Sequence, residues 1–330
     1  MDIIQNNAFR IIGMTVNSTA KERLASVSKI KAYARIGKDV SFPLDKVFAL
    51  GKVSRTVEAV DRAVVQLNTQ DDFLKNALFW FYTLTPEQEK AYQCIEAGNL
   101  KDAQKIYEKA KDFGSLIGLA TLAFVNTNIN QAIGYINTFF EDETAFNAFK
   151  DFVSQITRQE TNLTVEDLLT LYLETLLENV RVSKLLKAYS SFKKSSEISK
   201  LSLEIVNRKN AETLTKDFKK TIAEKVEEID KNPGYALKKC PEFIKVSKEN
   251  LRFIAKSAGT NSVPYKDASD SLADYIIQVV SSYDRVTDYI SPSDAKKEHD
   301  ILRKAKALAY STHLQNHIDD LLGQFVGIPF

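Results

Sequence analysis

Several residue types that mark other classes of protein are scarce in this chain. Its 330 residues include only 11 glycines and 7 prolines, and so few turn-forming residues favour long helices over many short strands. The two cysteines, Cys94 and Cys240, are too few for a disulfide framework and predict idle thiols in a reducing compartment. Histidine occurs three times, and no serine, cysteine or lysine has a histidine at the spacing of a known catalytic arrangement. The sequence therefore predicts a protein that is not an enzyme.

The chain also lacks a dominant charge and a long apolar run. Its 45 lysines and arginines nearly balance 43 acids, which does not favour a dedicated nucleic-acid-binding protein. No apolar segment approaches the roughly 20 residues of a membrane span. The first residues show no signal peptide. We expect a cytoplasmic protein that makes no membrane contact.

What the sequence does contain is helical spacing of apolar residues. Leu24, Val27 and Ile30 recur on one face behind a Thr19–Glu22 capping box, and Gly37 ends that helix. Thr85 and Gln88 form a second predicted capping box around Pro86. The pattern predicts an all-α fold, with further helices over residues 57–67, 86–97, 100–112, 164–179, 181–191, 196–208, 211–230, 241–256, 265–289 and 294–322.

An internal echo lies between two of these helices. Residues 98–103 align with residues 127–132, and each segment precedes an amphipathic helix. The offset of 29 residues is shorter than the roughly 34 of a tetratricopeptide repeat (TPR). Two copies are also too few for a free-standing array, so these TPR-like helix pairs must pack against other parts of the chain.

The N-terminal quarter resembles a J domain. An aromatic residue, Phe9, precedes an apolar pair and Gly13, and the capped helix from Thr19 follows. Residues 63–80 are similar to the second half of that family, with a third helix, a break and a short aromatic fourth helix. The family carries a His-Pro-Asp tripeptide after its second helix, whereas this chain has Phe42-Pro43-Leu44-Asp45, and its first histidine is His299. The resemblance implies docking on a DnaK-type chaperone without stimulation of its ATPase.

The second helix of J domains is basic and meets an acidic chaperone surface. Residues 20–55 hold nine lysines and arginines and three acids, so the trait is retained here. A solvated helix face, an acidic protein partner and nucleic-acid phosphate remain alternatives for this charge. The predicted partner-binding residues are Lys29, Lys31, Arg35, Lys38, Pro43 and Asp45.

Other candidate sites carry less weight. His313 and His317 lie one helical turn apart and could hold a metal ion, but an exposed or partly packed helix is the favoured interpretation. The carboxylate pairs Asp270/Asp274 and Asp284/Asp288 are typical of helix surfaces. The run Phe79-Trp80-Phe81-Tyr82 is interpreted as a hydrophobic seam between the J-like region and the repeat-like helices, rather than a peptide-binding platform. We assign no catalytic residue, metal or cofactor.

The sequence thus predicts three regions: a J-like domain over 1–83, TPR-like helix pairs over 84–145 and a C-terminal helical bundle over 146–330. Residues 265–283 are similar to helical tails that follow divergent J domains in some bacterial DnaJ-like proteins. The predicted function is a chaperone-like adaptor or scaffold, which binds protein through the basic J-like surface and the repeat face. The alternative is association with nucleic acid through basic stretches at 21–55 and 184–220.

Overall fold

The computed structural model describes residues 1–158, 162–192 and 196–326. Helices and short connections account for these residues, with no strand among them, which confirms the predicted all-α class. The chain forms two compact units, Met1–Val206 and Asn207–Phe330. The region boundaries predicted at residues 83 and 145 both lie inside the first unit.

The first unit contains the shorter helices. They are α1 (Asp2–Gln5), α2 (Ala8–Ile11), α3 (Ala20–Arg35), α4 (Val57–Gln66), α5 (Gln70–Ala77), α6 (Pro86–Glu96), α7 (Leu100–Ala110), α8 (Phe113–Val125), α9 (Ile129–Glu141), α10 (Glu143–Thr157), α11 (Val165–Asn179) and α12 (Val182–Ser191). Two 3-10 helices, Pro43–Lys46 and Phe48–Leu50, lie in the connection between α3 and α4.

The boundary between the two units falls inside α13 (Glu197–Lys231), so the second unit begins within this helix. Its other helices are α14 (Ala236–Ala258), α15 (Val263–Asp284), α16 (Pro292–Leu308) and α17 (Thr312–Gly323). A 3-10 turn at Pro233–Tyr235 precedes α14.

Helix ends follow the predicted caps at most positions. The Thr19 backbone N–H donates to Glu22 Oε2 at 2.7 Å, and the Glu22 N–H donates to Thr19 Oγ1 at 3.3 Å, so the capping box at α3 is confirmed. Gly37 follows the end of α3 with φ of +66°, a left-handed conformation that glycine adopts without strain.

The capping box predicted for Gln88 is wrong in one half. The Gln88 backbone N–H donates to Thr85 Oγ1 at 3.2 Å, as expected. The Gln88 side chain is buried, however, and its Oε1 accepts from Leu84 N at 2.8 Å while its Nε2 donates to Asp112 Oδ1 at 2.6 Å. It bridges the starts of α6 and α8 instead of capping Thr85.

Four predicted helix boundaries in the second half are also wrong. The helix expected over 265–289 ends at Asp284, and the helix expected over 294–322 is divided into α16 and α17 at residues 309–311. The expected break between residues 208 and 211 does not occur, because Arg208, Lys209 and Asn210 are compatible with a helix and α13 continues through them. The helix expected from Pro241 begins at Ala236 and carries Pro241 inside it. Proline has no N–H to donate to the carbonyl four residues earlier, so α14 lacks one backbone hydrogen bond there.

The internal echo corresponds to one turn made twice. Gly98 and Thr127 have φ of +78° and +58°, and Asn99 and Asn128 immediately precede α7 and α9. The Asn99 N–H donates to Cys94 O at 2.8 Å, and the Asn128 N–H donates to Ala123 O at 2.8 Å. The 29-residue sequence offset therefore superposes two connections with the same backbone hydrogen bonding.

An aromatic segment outside the helices passes through the core of the first unit. Phe79, Trp80, Phe81 and Tyr82 follow α5 without forming a helix, and all four are fully buried. Trp80 Nε1 donates to Met14 O at 2.9 Å, and the Phe81 carbonyl accepts from the Val16 N–H at 3.1 Å. These bonds tie the segment to the chain between α2 and α3.

The same segment contacts the later helices from its other side. The Phe79 ring stacks on Tyr172 of α11 with centroids 4.7 Å apart, and the Tyr82 ring meets Phe113 of α8 edge-on at 5.4 Å. Because the segment is not helical, its rings are not confined to one helix face, and they contact residues on both sides. The segment lies between residues 9–16 and the helices that follow it, and its burial rules out an exposed peptide-binding platform.

Candidate functional site

The candidate site comprises the exposed residues of α3 and of the connection that follows it. Val27 and Ile30 on one face of α3 pack with Ile12, Val60 and Ala63 in a small core of their own. Ser26 Oγ on this face donates to Ile12 O at 2.6 Å. Since this side of α3 is buried, the opposite side is the one available to a partner.

The predicted basic residues differ in their surroundings. Lys29, Arg35 and Lys38 are exposed, and no acidic side chain in the described part of the chain forms an ion pair with them. Lys31 is partly buried and is paired with Asp61 of α4, so its charge is neutralised within the chain. Pro43 is exposed and begins the first 3-10 helix of the connection.

Asp45 is engaged inside the protein. Its two carboxylate oxygens accept from Arg55 at 2.7 and 2.9 Å, and the Phe42 backbone N–H donates to it at 2.7 Å. The side chains of Arg55 and Asp45 are only 5% and 14% exposed. The guanidinium of Arg55 also donates from Nε to Ile11 O at 2.8 Å and lies over the Phe42 ring. Asp45 therefore shapes the connection and offers no free charge to a partner.

Arg10 is a second buried arginine that the sequence reasoning missed. Its Nη1 donates to Leu50 O at 2.7 Å and to Gln5 O at 3.0 Å, and its Nη2 donates to Gly51 O at 2.7 Å. Burial lowers the pKa of the Arg10 guanidinium, nearby Asp45 opposes this shift, and Arg55 adds to it. Arginine in a short helix beside apolar residues gives no distinctive signal, because only the tertiary fold brings these carbonyls to it.

Between these two anchors the connection leaves one large apolar side chain outside. Leu44, Val47 and Leu50 are buried, whereas Phe48 is 99% exposed. In a 3-10 helix residues three apart share a face, so Leu44, Val47 and Leu50 point inward and the Phe48 side chain points to solvent. Sequence reasoning had grouped this stretch only by its charge and its missing histidine.

The charge of the surface can now be assigned residue by residue. Arg55 is buried against Asp45, and Lys31 is paired with Asp61. The side chain of Glu22 bonds to the backbone and hydroxyl of Thr19, which lowers the Glu22 pKa. The exposed cations with no ion pair in the described chain are Lys21, Lys29, Arg35, Lys38, Lys46 and Lys52. Asp39 and Glu22 are the exposed acids among these six cations, so the surface is positive.

The second basic stretch is less available. Lys209 pairs with Glu212 at 3.0 Å, and Lys219 pairs with Asp267 at 2.9 Å. Lys184 is exposed at the start of α12. Lys193 and Lys194 lie outside the described residues. Local pairing therefore weakens the field of this stretch compared with the α3 surface.

Among the candidate residues of the second unit, Asp270 accepts backbone hydrogen bonds and the two histidines of α17 are exposed. Asp270 accepts from the Ser311 backbone N–H at 3.2 Å, next to the start of α17. His313 and His317 are exposed on α17. In the described ranges, no group of three or more histidine, cysteine or acidic side chains is arranged to hold a metal ion.

No protein-family model matches this sequence, and no curated protein or solved structure matches it either. The resemblance of residues 7–82 to a J domain therefore rests on the residues themselves. Within the described part of the chain, no helix combines the length and apolar character needed to cross a bilayer.

Proposed function

We propose that this chain is a non-catalytic adaptor or scaffold that binds acidic protein partners through the surface of α3 and its following connection. The observation that carries this proposal is the set of exposed, unpaired cations at Lys21, Lys29, Arg35, Lys38, Lys46 and Lys52. The neighbouring acid Asp45 is paired with Arg55, so Glu22 and Asp39 are the exposed acids that offset these six cations. Complementary charge speeds encounter and selects acidic partners.

The order of elements supports a J-like origin for this surface. The short helix α2, the capped helix α3, a long connection and the helices α4 and α5 follow in the order that the resemblance requires. The proposed partner is a DnaK-type chaperone or another acidic protein of the cytoplasm. Because the loop after α3 has no histidine, binding without stimulation of an ATPase is the expected outcome.

The repeat-like helices offer a second proposed surface. Helix α8 is almost wholly buried, whereas α7 and α9 carry polar side chains that connect with each other. The Tyr135 hydroxyl donates to Glu108 Oε1 at 3.0 Å, and Gln131 Nε2 donates to the Tyr135 oxygen at 3.1 Å. A polar outer face supported by a buried helix is suited to additional partner contacts.

Affinity purification from the native cell tests the basic surface. The wild-type chain is compared with a triple variant, Lys29→Glu, Arg35→Glu and Lys38→Glu, all at exposed and unpaired positions. The matched control is Lys238→Glu, Lys245→Glu and Lys248→Glu on α14, which makes the same change in net charge at exposed positions of the second unit. Loss of specific partners from the first variant alone supports the proposal, and equal retention by both contradicts it.

A salt titration separates the adaptor from the nucleic-acid alternative. Phosphate contacts give a steep loss of affinity between low and physiological salt, whereas a protein partner anchored by apolar contacts retains binding. The purified chain is titrated with a 20-nucleotide single strand and a 20-base-pair duplex at 50 and 200 mM salt. Salt-sensitive binding of either oligonucleotide, removed by the α3 triple variant but not by the α14 control, would favour the nucleic-acid function.

A further inference from the structure

We propose that Phe48 is the apolar anchor of the basic surface, and that it inserts into an apolar pocket rimmed by carboxylates on a partner protein. This inference rests on the proposed adaptor function and names the chemistry of its partner. At 99% exposed, Phe48 is the most solvent-accessible large apolar side chain among those in the described residues. A phenylalanine gains more from burial than most side chains, so such exposure is costly unless a partner covers it.

The connection holds Phe48 outward without relying on it for packing. On one side, Asp45 bonds to Arg55 and to the Phe42 backbone N–H. On the other side, Arg10 bonds to the carbonyls of Leu50 and Gly51. The backbone around Phe48 is therefore fixed before binding, and a preformed anchor loses less conformational entropy when it docks.

The charges beside Phe48 define the rim of the pocket that would receive it. Lys46 and Lys52 flank it in the connection, both exposed and unpaired within the described chain. The acid of this stretch, Asp45, is neutralised by Arg55. A pocket lined by apolar side chains and bordered by aspartate or glutamate complements this arrangement, in the usual pattern of an apolar interface core and a polar rim.

Two aliphatic side chains favour a protein over a nucleic acid. The basic stretch also exposes Leu24 and Ile36, which are 68% and 65% accessible. Aliphatic side chains do not stack on bases as aromatic rings do, but they commonly contribute to protein interfaces. A lipid surface is disfavoured because one inserted phenylalanine with a few lysines provides only marginal membrane binding.

Site-specific photo-crosslinking in the native cell tests the anchor in the full chain. A photoreactive phenylalanine analogue is placed at position 48, at position 36 and, as a control, at Tyr289 in the second unit, which is 76% exposed. Adducts of one protein from positions 48 and 36, absent from position 289, support the proposal. Adducts from position 36 alone contradict the anchor and leave the adaptor function intact. Adducts from neither position contradict both.

The crosslinked protein is then purified and titrated against the wild-type chain and against Phe48→Ala. We expect Phe48→Ala to weaken binding by about 30-fold or more, as the loss of a central aromatic anchor does. The matched control Tyr289→Ala should stay within about twofold of wild type, and Lys46→Glu with Lys52→Glu should slow association. An affinity of Phe48→Ala equal to wild type overturns the proposal.

The other two classes of partner are arms of the same titration. Vesicles of 30% phosphatidylserine in phosphatidylcholine and a 20-nucleotide oligothymidine are added in place of the protein. If Phe48→Ala abolishes binding to either probe while its affinity for the crosslinked protein is unchanged, the occupant is a lipid or a nucleic acid and the protein pocket is refuted. Unchanged thermal melting of Phe48→Ala verifies that the variant is folded.

Discussion

Two segments of the first unit that lie outside its α-helices differ in the burial of their aromatic residues. The segment Phe79–Tyr82 buries four consecutive rings completely, and two backbone-directed hydrogen bonds fix it. The connection between α3 and α4 buries Leu44, Val47 and Leu50 but leaves Phe48 in solvent. Both segments are held in place by buried polar anchors, so looseness of the backbone does not explain the exposed ring.

The difference shows what each segment does for the molecule. Removal of a ring from Phe79–Tyr82 leaves a cavity that surrounding helices cannot fill, so these rings stabilise the fold. Truncation of Phe48 leaves no cavity, because its ring is surrounded by solvent. The ring can therefore contribute free energy only to binding, when a partner covers it. The polar anchors Arg55–Asp45 and Arg10 belong to the first class, because they are buried and determine the shape of the connection.

The largest expected effect is at the buried segment. Trp80→Ala should lower the free energy of unfolding of the first unit by roughly 3–5 kcal/mol, because it leaves a cavity and removes the Nε1 bond to Met14 O. Urea denaturation followed by far-ultraviolet circular dichroism measures the change. A melting temperature equal to wild type would show that Trp80 does not fill the core.

The next effect concerns the anchor of the exposed connection. Arg55→Ala should cost about 2–4 kcal/mol, because the nearly buried Asp45 loses its cation and three backbone carbonyls lose a donor. Limited trypsin digestion should then cleave faster at Lys46 and Lys52, as the connection loosens. Lys52→Ala, at an exposed position, is the control and should leave stability unchanged. Equal digestion of Arg55→Ala and wild type would contradict the anchoring role.

These two regions also show which features of the structure the sequence predicts and which it does not. The helical class, the cap at Thr19 and the burial of Phe79–Tyr82 follow from local patterns, and the structure agrees with each. The spacing also placed Leu24 beside Val27 and Ile30, which is wrong, because Leu24 is 68% exposed. The pairing of Arg55 with Asp45 does not follow from a local pattern. The two residues are ten apart, and tertiary packing determines the path of the connection that brings them together. Composition alone predicts both as surface charges, whereas the structure buries both side chains.

Phe48 was overlooked for a related reason. In the sequence it sits within Val47-Phe48-Ala49-Leu50, which resembles any short buried segment. Its exposure depends on which face of two consecutive 3-10 helices is buried, and on the hydrogen bonds from Arg10 to the carbonyls of Leu50 and Gly51. No local pattern predicts these hydrogen bonds, since Arg10 lies about forty residues earlier in the chain.

A smaller expected effect concerns a buried carboxyl group that lies beside another carboxylate. Glu298 in the second unit is buried beside Asp284, and burial with that neighbouring carboxylate raises the pKa of Glu298 to about 7. Asp45 shows the opposite arrangement, because Arg55 supplies its counter-charge. Glu298 therefore stabilises the fold in its protonated form, and its ionisation is unfavourable there.

The sign of the pH effect follows. In the unfolded chain Glu298 ionises near its ordinary pKa of roughly 4.3, so the unfolded state loses the proton before the folded state does. The free energy of unfolding should fall by roughly 1–2 kcal/mol as the pH rises from about 4.5 to about 7, and it should level above that range. The figure is below the full linkage value because Asp284 and Glu298 titrate as a coupled pair, so the shift does not belong to Glu298 alone.

Denaturation of Glu298→Gln across the same range isolates this effect. The amide keeps the shape of the side chain but cannot ionise, so its unfolding free energy should vary less with pH and exceed that of wild type at pH 8. Glu242→Gln on α14 is the matched control, because Glu242 is exposed. A wild-type slope that persists in Glu298→Gln would assign the pH dependence to another group.

The smallest expected effect completes the comparison. Phe48→Ala should change the free energy of unfolding by less than about 0.5 kcal/mol, because a side chain that is 99% exposed loses almost no contact when it is truncated. The same substitution at Phe79, where the ring stacks on Tyr172, should cost roughly 3–5 kcal/mol. Parallel urea titrations of the two variants measure the difference directly. If Phe48→Ala were as destabilising as Phe79→Ala, the ring at position 48 would have to be buried in solution, and it could not serve as a free anchor for a partner.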